Sequence, residues 1–595
     1  MHDLFRDSPA GQLIRFVTKD RVLQYPEEKD PAVYEKCINQ AKSRNMKRYG
    51  STEAPSVTEK SFQPTDASPT RSSTSTRIED NERRQNVSSK ELGDLENGRD
   101  VDIVDWYGPD DPDNPQNWSL AKKCFVTGQI IFLTFSVYIG SAIYSAGVES
   151  VISDFHVSRE AATLGLTLFV FGYGIGPMLW APMSEIPTIG RNPVYITTLF
   201  VFVLLQIPTA LSVNFGMLLA FRFITGFFGS PPLATGGASI ADMYSPSKRA
   251  YGIGLWGIGA ILGPVLGPLI GGFAVEAEGW RWTIWELMWL SGFCFIFLFL
   301  FFPETSSSNM LVRRTKRLRK ITGNENLRCE PELMAEHMTG HDIMMMTLVR
   351  PFTLNFVEPM VFLLNLYIAL IYALLYTWFE SFPIVFNEIY GMSLGISGLA
   401  YLGLLVGAII VVPPFFWYLH KYTEPQFNES GDLQPEKRLP PAFVGGFAIP
   451  ICLFWFGWSA GQTHWIVPII GTVWFSIGAF LLFNSVLNYL GDAYPDYAAS
   501  VLAGNDFMRS MIAGAFPLIA IPLYKNLGVP WATSLLGFLS IVFIPIPLVL
   551  YKVGSPFYSA LNLLSKNLES ANTYFFHQYG HSLRLNHSKY ARKDI

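Results

Sequence analysis

Charged side chains are rare in the apolar stretches of this sequence, and the few that occur there have types and spacings that could do chemistry. Arg222 stands alone in the stretch FGMLLAFRFITGFFGS. A guanidinium at hydrocarbon depth is costly unless it faces water or a partner, or snorkels to the interface. It cannot release a proton at ordinary pH, so the active role open to it is to tune a nearby acid or a polar substrate group. Arg509 lies one helical turn beyond Asn505, and Asn484 and Asn488 share a helix face. Polar side chains at that depth need partners, either between helices or from a substrate. Tyr372, Tyr376 and Glu380 recur at i, i+4 and i+8, a stripe that either packs in a bundle or lines a cavity for flat lipophilic molecules. Glu358 is a second acid that could titrate. Glu185 and Arg191 flank a tight loop, where they either form a latch or stay solvated, and Asp242 is placed to gate with Lys248 or Arg249.

These residues are carried by elements that must cross a bilayer. Of 595 residues, 50% are hydrophobic and only 15% charged, with mean hydropathy +0.25, too apolar for a large soluble protein. Twelve apolar segments are long enough to span, at roughly 20 residues each. Six fall near 124–146, 161–182, 193–213, 216–240, 251–274 and 282–302. Six more fall near 354–379, 393–416, 441–460, 464–490, 498–524 and 531–551. The most unusual is GIGLWGIGAILGPVLGPLIGG, Gly252 to Gly272. Gly259, Gly263 and Gly267 at four-residue spacing form a groove for another helix backbone, while Pro264 and Pro268 bend the rod.

The expected organisation is a cytosolic, largely disordered tail (1–120), a six-helix bundle (121–302), a central linker (303–351), a second six-helix bundle (352–552) and a cytosolic tail (553–595). Residues 48–100 are too poor in aromatics to offset their ordering entropy, whereas Met1 to Glu28 could form one short amphipathic helix. Lys122, Lys123, Arg191, Lys248, Arg249, Lys437, Arg438 and the cluster Arg313–Lys320 fall on one side, which places both termini in the cytosol. The cluster is expected to rest on anionic lipid headgroups, and Trp118 at the interface. Five scattered cysteines imply neither a disulfide framework nor a metal site, and the pair His337 and His341 lacks a third ligand. A net charge of -4 gives no basic stripe for nucleic acid.

Several phrases carry a resemblance. Gly263-Pro264, Gly267-Pro268 and Gly271-Gly272 resemble the fifth-helix antiporter motif of drug/proton exporters in the major facilitator superfamily. Asp110 to Trp118, the loop from Gly176-Pro177 through Ala181-Pro182 to Ser184-Glu185, Arg222 with Gly226, Pro303-Glu304-Thr305 and the helix of Asn505 and Arg509 resemble, in order, fungal exporters of the fluconazole, benomyl and cycloheximide resistance type. The loop departs from the wider family pattern in having Ala181 at the leading glycine position and a single basic residue after Gly190. The resemblance implies an all-α polytopic fold with twelve transmembrane helices in two six-helix bundles around a central cavity. It assigns proton coupling and conformational exchange to Arg222, Gly263, Pro264, Gly267, Glu185, Arg191 and Asp242. Candidate cavity residues are Tyr372, Tyr376, Glu380, Asn484, Asn488, Asn505 and Arg509.

The expected function is proton-coupled export of small lipophilic or amphipathic xenobiotics from the plasma membrane. No cofactor beyond the proton gradient is expected, the partners being drug, protons and membrane lipids, and the state a monomer. A nutrient or polyamine transporter and a non-transporting sensor are the alternatives. An enzyme is not expected: Gly391-Met392-Ser393-Leu394-Gly395 spells G-x-S-x-G but leads into a span, and no Walker A phrase occurs.

Overall fold

The computed structural model describes residues 2–30, 35, 102–336, 341, 344–428, 431 and 433–552. The expected tails over 48–100 and 553–595, together with Cys37 and His337, lie outside the described residues. The first span, Leu120–Ala142, starts on the Ser119 side chain, which accepts from the Lys122 amide. It runs through a tight turn into the short helix Val148–Phe155. The second span is Arg159–Glu185, the third Arg191–Ala210, the fifth Pro246–Glu278 and the sixth Trp280–Phe301. The fourth is split into Phe215–Gly229 and Pro231–Met243, because Pro231 and Pro232 have no amide hydrogens to continue the ladder.

The second half opens with Arg350–Val357 and the seventh span, Pro359–Phe382, which widens into a π-helical turn at Pro383–Ile389. Leu394–Leu399 with Leu402–Tyr418 forms the eighth, Pro440–Ser459 the ninth and Ile466–Ala493 the tenth. Among the described residues 11 helices are long and apolar enough to cross, and the last, Ser500–Tyr551, holds 52 residues. That length is roughly 78 Å of helix against a hydrocarbon core of about 30 Å. Gly528, with φ 71°, divides it. The Asn505 amide donates to Asn365 and the Phe543 ring packs on Tyr367, so the chain leaves one level of the seventh span and returns to it. The eleventh and twelfth spans are therefore distinct helices, and the described residues are consistent with twelve spans.

The glycine groove is occupied. A Cβ added at Gly263 would lie 2.6 Å from Tyr138 Cβ and 2.9 Å from the Ile139 amide, so the fifth span presses directly on the first.

The regions outside the membrane correct three expectations. Residues 2–30 hold three short helices rather than one: His2–Asp7 and Pro9–Val17 pack on the sixth span, and Pro26–Lys29 packs on the linker helix Ser307–Thr322. The Tyr25 ring lies between Arg6 (4.2 Å) and Arg317 (3.7 Å), and buried Glu27 accepts from Arg317 at 2.7 Å. Asp102–Ile103 pairs in parallel with Leu327–Arg328, tying the chain before the first span to the linker. Five of the six cations of the cluster are paired with carboxylates rather than free for lipid: Arg313 with Glu304, Arg314 with Asp111 and Asp113, Arg317 with Glu27, Arg319 with Glu332 and Lys320 with Asp20. Trp118 is buried under Lys122 instead of lying at the interface.

Candidate functional site

Two cavities lie between the halves. The first is apolar, with Tyr138, Pro264, Tyr372, Phe475, Phe480 and Asn484 in its wall. The second carries more polar groups and runs from Glu185, Arg191 and Asp242 at the linker-side helix ends to Asn488, Asp506 and Arg509 at depth. Arg509 joins them, because its guanidinium lies 5.3 Å from the Tyr372 ring and 4.9 Å from the Phe483 ring, both in the apolar wall. Its Nε donates to Asp506 Oδ1 at 2.8 Å, and its Nη2 donates to the same oxygen.

The tyrosine stripe expected on the seventh span divides. Tyr372 and Tyr376 reach Tyr173 of the second span through hydroxyl contacts of 2.5 and 2.7 Å, and Tyr376 donates to Ser141 of the first at 2.8 Å. This cluster sews the halves together beside the apolar cavity. Glu380 faces away from it, into a smaller cavity near Glu149 and Arg159 at the end opposite the linker. Glu358 accepts from Tyr494 at 3.1 Å.

The loop charges form a latch of different composition from the one expected. Arg191 Nε donates to Asp242 at 2.8 Å and its Nη1 to Ser184 at 3.0 Å, while Glu185 stands 4.0 Å away. Asp242 thus does not gate with Lys248 or Arg249, which reach across to the other half: Lys248 pairs with Glu424 at 2.7 Å and Arg249 approaches Asp492 at 3.9 Å. Beneath the latch, Glu304 accepts from the backbone amides of Arg191, Asn192, Thr305 and Ser306. A carboxylate on the first amides of the third span satisfies donors that the helix itself cannot. That is a structural reason for the Pro-Glu-Thr phrase, which the sequence reading left without one.

Arg222 is buried, yet no carboxylate pairs with it among the described residues. Its Nε donates to Gly165 O and its Nη1 to Gly140 O, both at 2.9 Å, with the Tyr144 and Phe169 rings on its faces. The geometry is that of a staple joining the first, second and fourth spans, with Nη2 buried and without a partner. Asn505 belongs to an interhelical chain, donating to Asn365, which donates to Asn355. Asn484 and Asn488 both donate to carbonyls of their own helix, leaving Asn484 Oδ1 without a partner.

Sequence reasoning missed Asp506, Tyr138 and Tyr173. For Asp506 a signal was present, since a carboxylate three residues before an arginine lies on the same helix face. Among the described residues no group of three or more His, Cys, Asp or Glu side chains could hold a metal.

Residues 130–517 match the Major Facilitator Superfamily. The transporter mfs1 of Schizosaccharomyces pombe is 46% identical over 77% of this chain and 88% of its own length. The cycloheximide resistance protein of Candida maltosa is 44% identical over 76% and 84%. The fluconazole resistance protein 1 of Saccharomyces cerevisiae is 43% identical over 76% and 83%. Among solved structures, the proton:xylose symporter XylE aligns with a TM-score of 0.54 over 73% of this chain and 97% of its own, at 15% identity, a likeness of fold alone.

Proposed function

Because this chain belongs to the major facilitator superfamily, we propose that it is a proton-coupled exporter of small lipophilic or amphipathic xenobiotics, antifungals among them, working by alternating access. The observation that carries the reading is the apolar cavity between the halves, walled by aromatic rings and edged by few polar atoms. Such a wall accepts flat lipophilic molecules without demanding a fixed hydrogen-bond pattern, whereas a sugar or polyamine needs convergent polar groups. The names of the fungal relatives, resistance proteins toward cycloheximide and fluconazole, support the same substrate class. The latch of Arg191 with Asp242 and the pairs Lys248–Glu424 and Arg249–Asp492 lie at one end of the cavity, where they would open and close as the halves rock. Residence in the plasma membrane with both termini cytosolic, monomeric action and independence of any cofactor belong to the same proposal. The protein is proposed to be a transporter without enzymatic chemistry.

The deciding experiment compares cell-associated fluorescent drug in cells with and without the gene. An exporter's loss raises it, and a protonophore has the same effect on cells that carry the protein. Lower accumulation on deletion would identify an importer.

A further inference from the structure

We propose that Asp506 is the carboxylate that exchanges a proton for drug, with Arg509 balancing its charge; this rests on the proton-coupled export reading above. Asp506 is 2% exposed at the deep end of the polar cavity. Both Arg509 contacts fall on Oδ1, and Oδ2 has no hydrogen-bond partner. A buried carboxylate with one oxygen unsatisfied is expensive to keep unless something arrives to use it.

The other carboxylates of this cavity are already committed. Asp242 and Glu185 share Arg191, and Asp492 takes Arg438 at 2.8 Å as well as Arg249. The remaining titratable groups facing this part of the eleventh span are Tyr138, Tyr173, Tyr372 and Tyr376 from the first, second and seventh spans. The ninth span has no charged side chain, and Arg350, before the seventh, covers Tyr497 at the foot of the helix. Among the described carboxylates of this cavity, Asp506 is the one both deep and half-satisfied.

The step is a single protonation: one proton adds to Oδ2, the carboxylate becomes a neutral acid, and no other bond forms or breaks. The pair with Arg509 thereby changes from neutral to a net positive charge, and the guanidinium stays seated on the Tyr372 and Phe483 rings. Ionised Oδ2 accepts a hydrogen bond from a drug N–H or O–H, whereas the protonated acid offers a donor of its own and leaves the charge of Arg509 uncompensated, which repels cations. Proton and drug therefore compete for one atom, and the substrates favoured are lipophilic molecules, neutral or cationic, that carry at least one such donor.

The test uses the full-length purified protein and cycloheximide, which has both O–H and N–H donors. Asp506→Asn alone strands a buried arginine, so the main variant is Asp506→Asn with Arg509→Gln, and Asp506→Glu is the conservative one. In weakly buffered solution cycloheximide binding should release protons from the wild type and none from the double variant, whose affinity should not change with pH. Asp506→Glu should keep the release with a shifted pH midpoint. In liposomes, uptake driven by a pH gradient should fall at least tenfold in the double variant, while drug counterflow without a gradient persists. Proton release or gradient-driven uptake at wild-type levels in the double variant overturns the proposal. So does loss of its binding at every pH combined with an unshifted midpoint in Asp506→Glu. A wild type that moves drug with no response to the gradient overturns the proton-coupled reading itself, and this inference with it.

Discussion

Arg222 shows how a single residue can be conspicuous in sequence and still be misjudged in role. Its cost in hydrocarbon is legible from the fifteen apolar-to-neutral neighbours of its stretch, but its partners are main-chain carbonyls, which every residue has and no pattern marks. Truncation to alanine removes the second hydrogen bond that Gly165 O and Gly140 O, both helix carbonyls, accept from the guanidinium. A hydrogen bond to a charged group contributes about 1.5–3 kcal/mol. Arg222→Lys keeps the charge but has one nitrogen where the fork has two in use, so it should recover only part of the stability. Both variants should unfold at lower temperature than wild type, alanine more so, and whatever transport remains should keep the wild-type dependence on the pH gradient. A purified Arg222→Ala protein with unchanged thermal stability and flattened pH dependence would instead make Arg222 a coupling residue. Asp506 is the converse case. Its i,i+3 relation to Arg509 was visible, but its unpartnered oxygen and its place at the end of a cavity exist only once the spans that wall the cavity have converged.

At the scale of elements, twelve crossings and the glycine groove were legible because hydropathy and small-residue spacing are properties of one segment at a time. What they could not give is the partner. Gly263 fits against Tyr138, whose ring also walls the apolar cavity, so tightening or loosening that contact moves the wall of the proposed drug site. Gly263→Ala should cost about 1–3 kcal/mol through overpacking and displace Tyr138, weakening drug binding. Gly257→Ala, whose Cβ would meet nothing nearer than Asn484 Nδ2 at 3.6 Å, should leave the melting temperature unchanged. Equal melting temperatures for the two would remove the groove from the argument. The linker region was the least legible element, since its ion pairs join residues hundreds of positions apart. Burial alone would raise the Asp111 carboxyl, yet Arg314 and the amides of Tyr107 and Asp113 hold it below the usual carboxylate range. A carboxyl lowered on folding stabilises above its unfolded value of about 3.9, and that contribution is lost as pH falls through the folded value. Hydrogen exchange in Ser307–Thr322 should therefore accelerate as pH drops below about 4, beyond the intrinsic pH effect on exchange. Asp111→Asn should already exchange faster at pH 7 and show no further acid step. An acid step of wild-type size in that variant would assign it to another group.

For the whole molecule the question is what holds one end of the cavity shut. On the linker side the halves are joined by charges, Lys248 to Glu424 and Arg249 to Asp492, with Arg438 Nη2 donating to Pro246 O at 3.4 Å. Away from it they are joined by close packing, Gly398 against the Leu269 backbone and Gly272 against Leu394 O, and by the tyrosine cluster. Charges part into water at little cost, while interlocked backbones and buried hydroxyls do not. The linker side should accordingly be the side that opens first from this conformation. Lys248 is half exposed, so its pair with Glu424 contributes about 1 kcal/mol at most and is weakened by salt. Glu424→Gln should then raise the open population by roughly fivefold or less, a small shift that labelling can resolve. The probe is Ala238→Cys on the wall of the polar cavity, in a background where exposed Cys124 is replaced by serine. Labelling by an impermeant maleimide in membranes should quicken in Glu424→Gln, and the charge exchange Lys248→Glu with Glu424→Lys should restore the slower rate. High salt should quicken the wild type more than Glu424→Gln, in which the pair of Arg249 with Asp492 is the remaining salt-sensitive contact. Identical rates in all of these would mean that the tyrosines and glycines at the other end, rather than the charged rim, set which way the transporter faces.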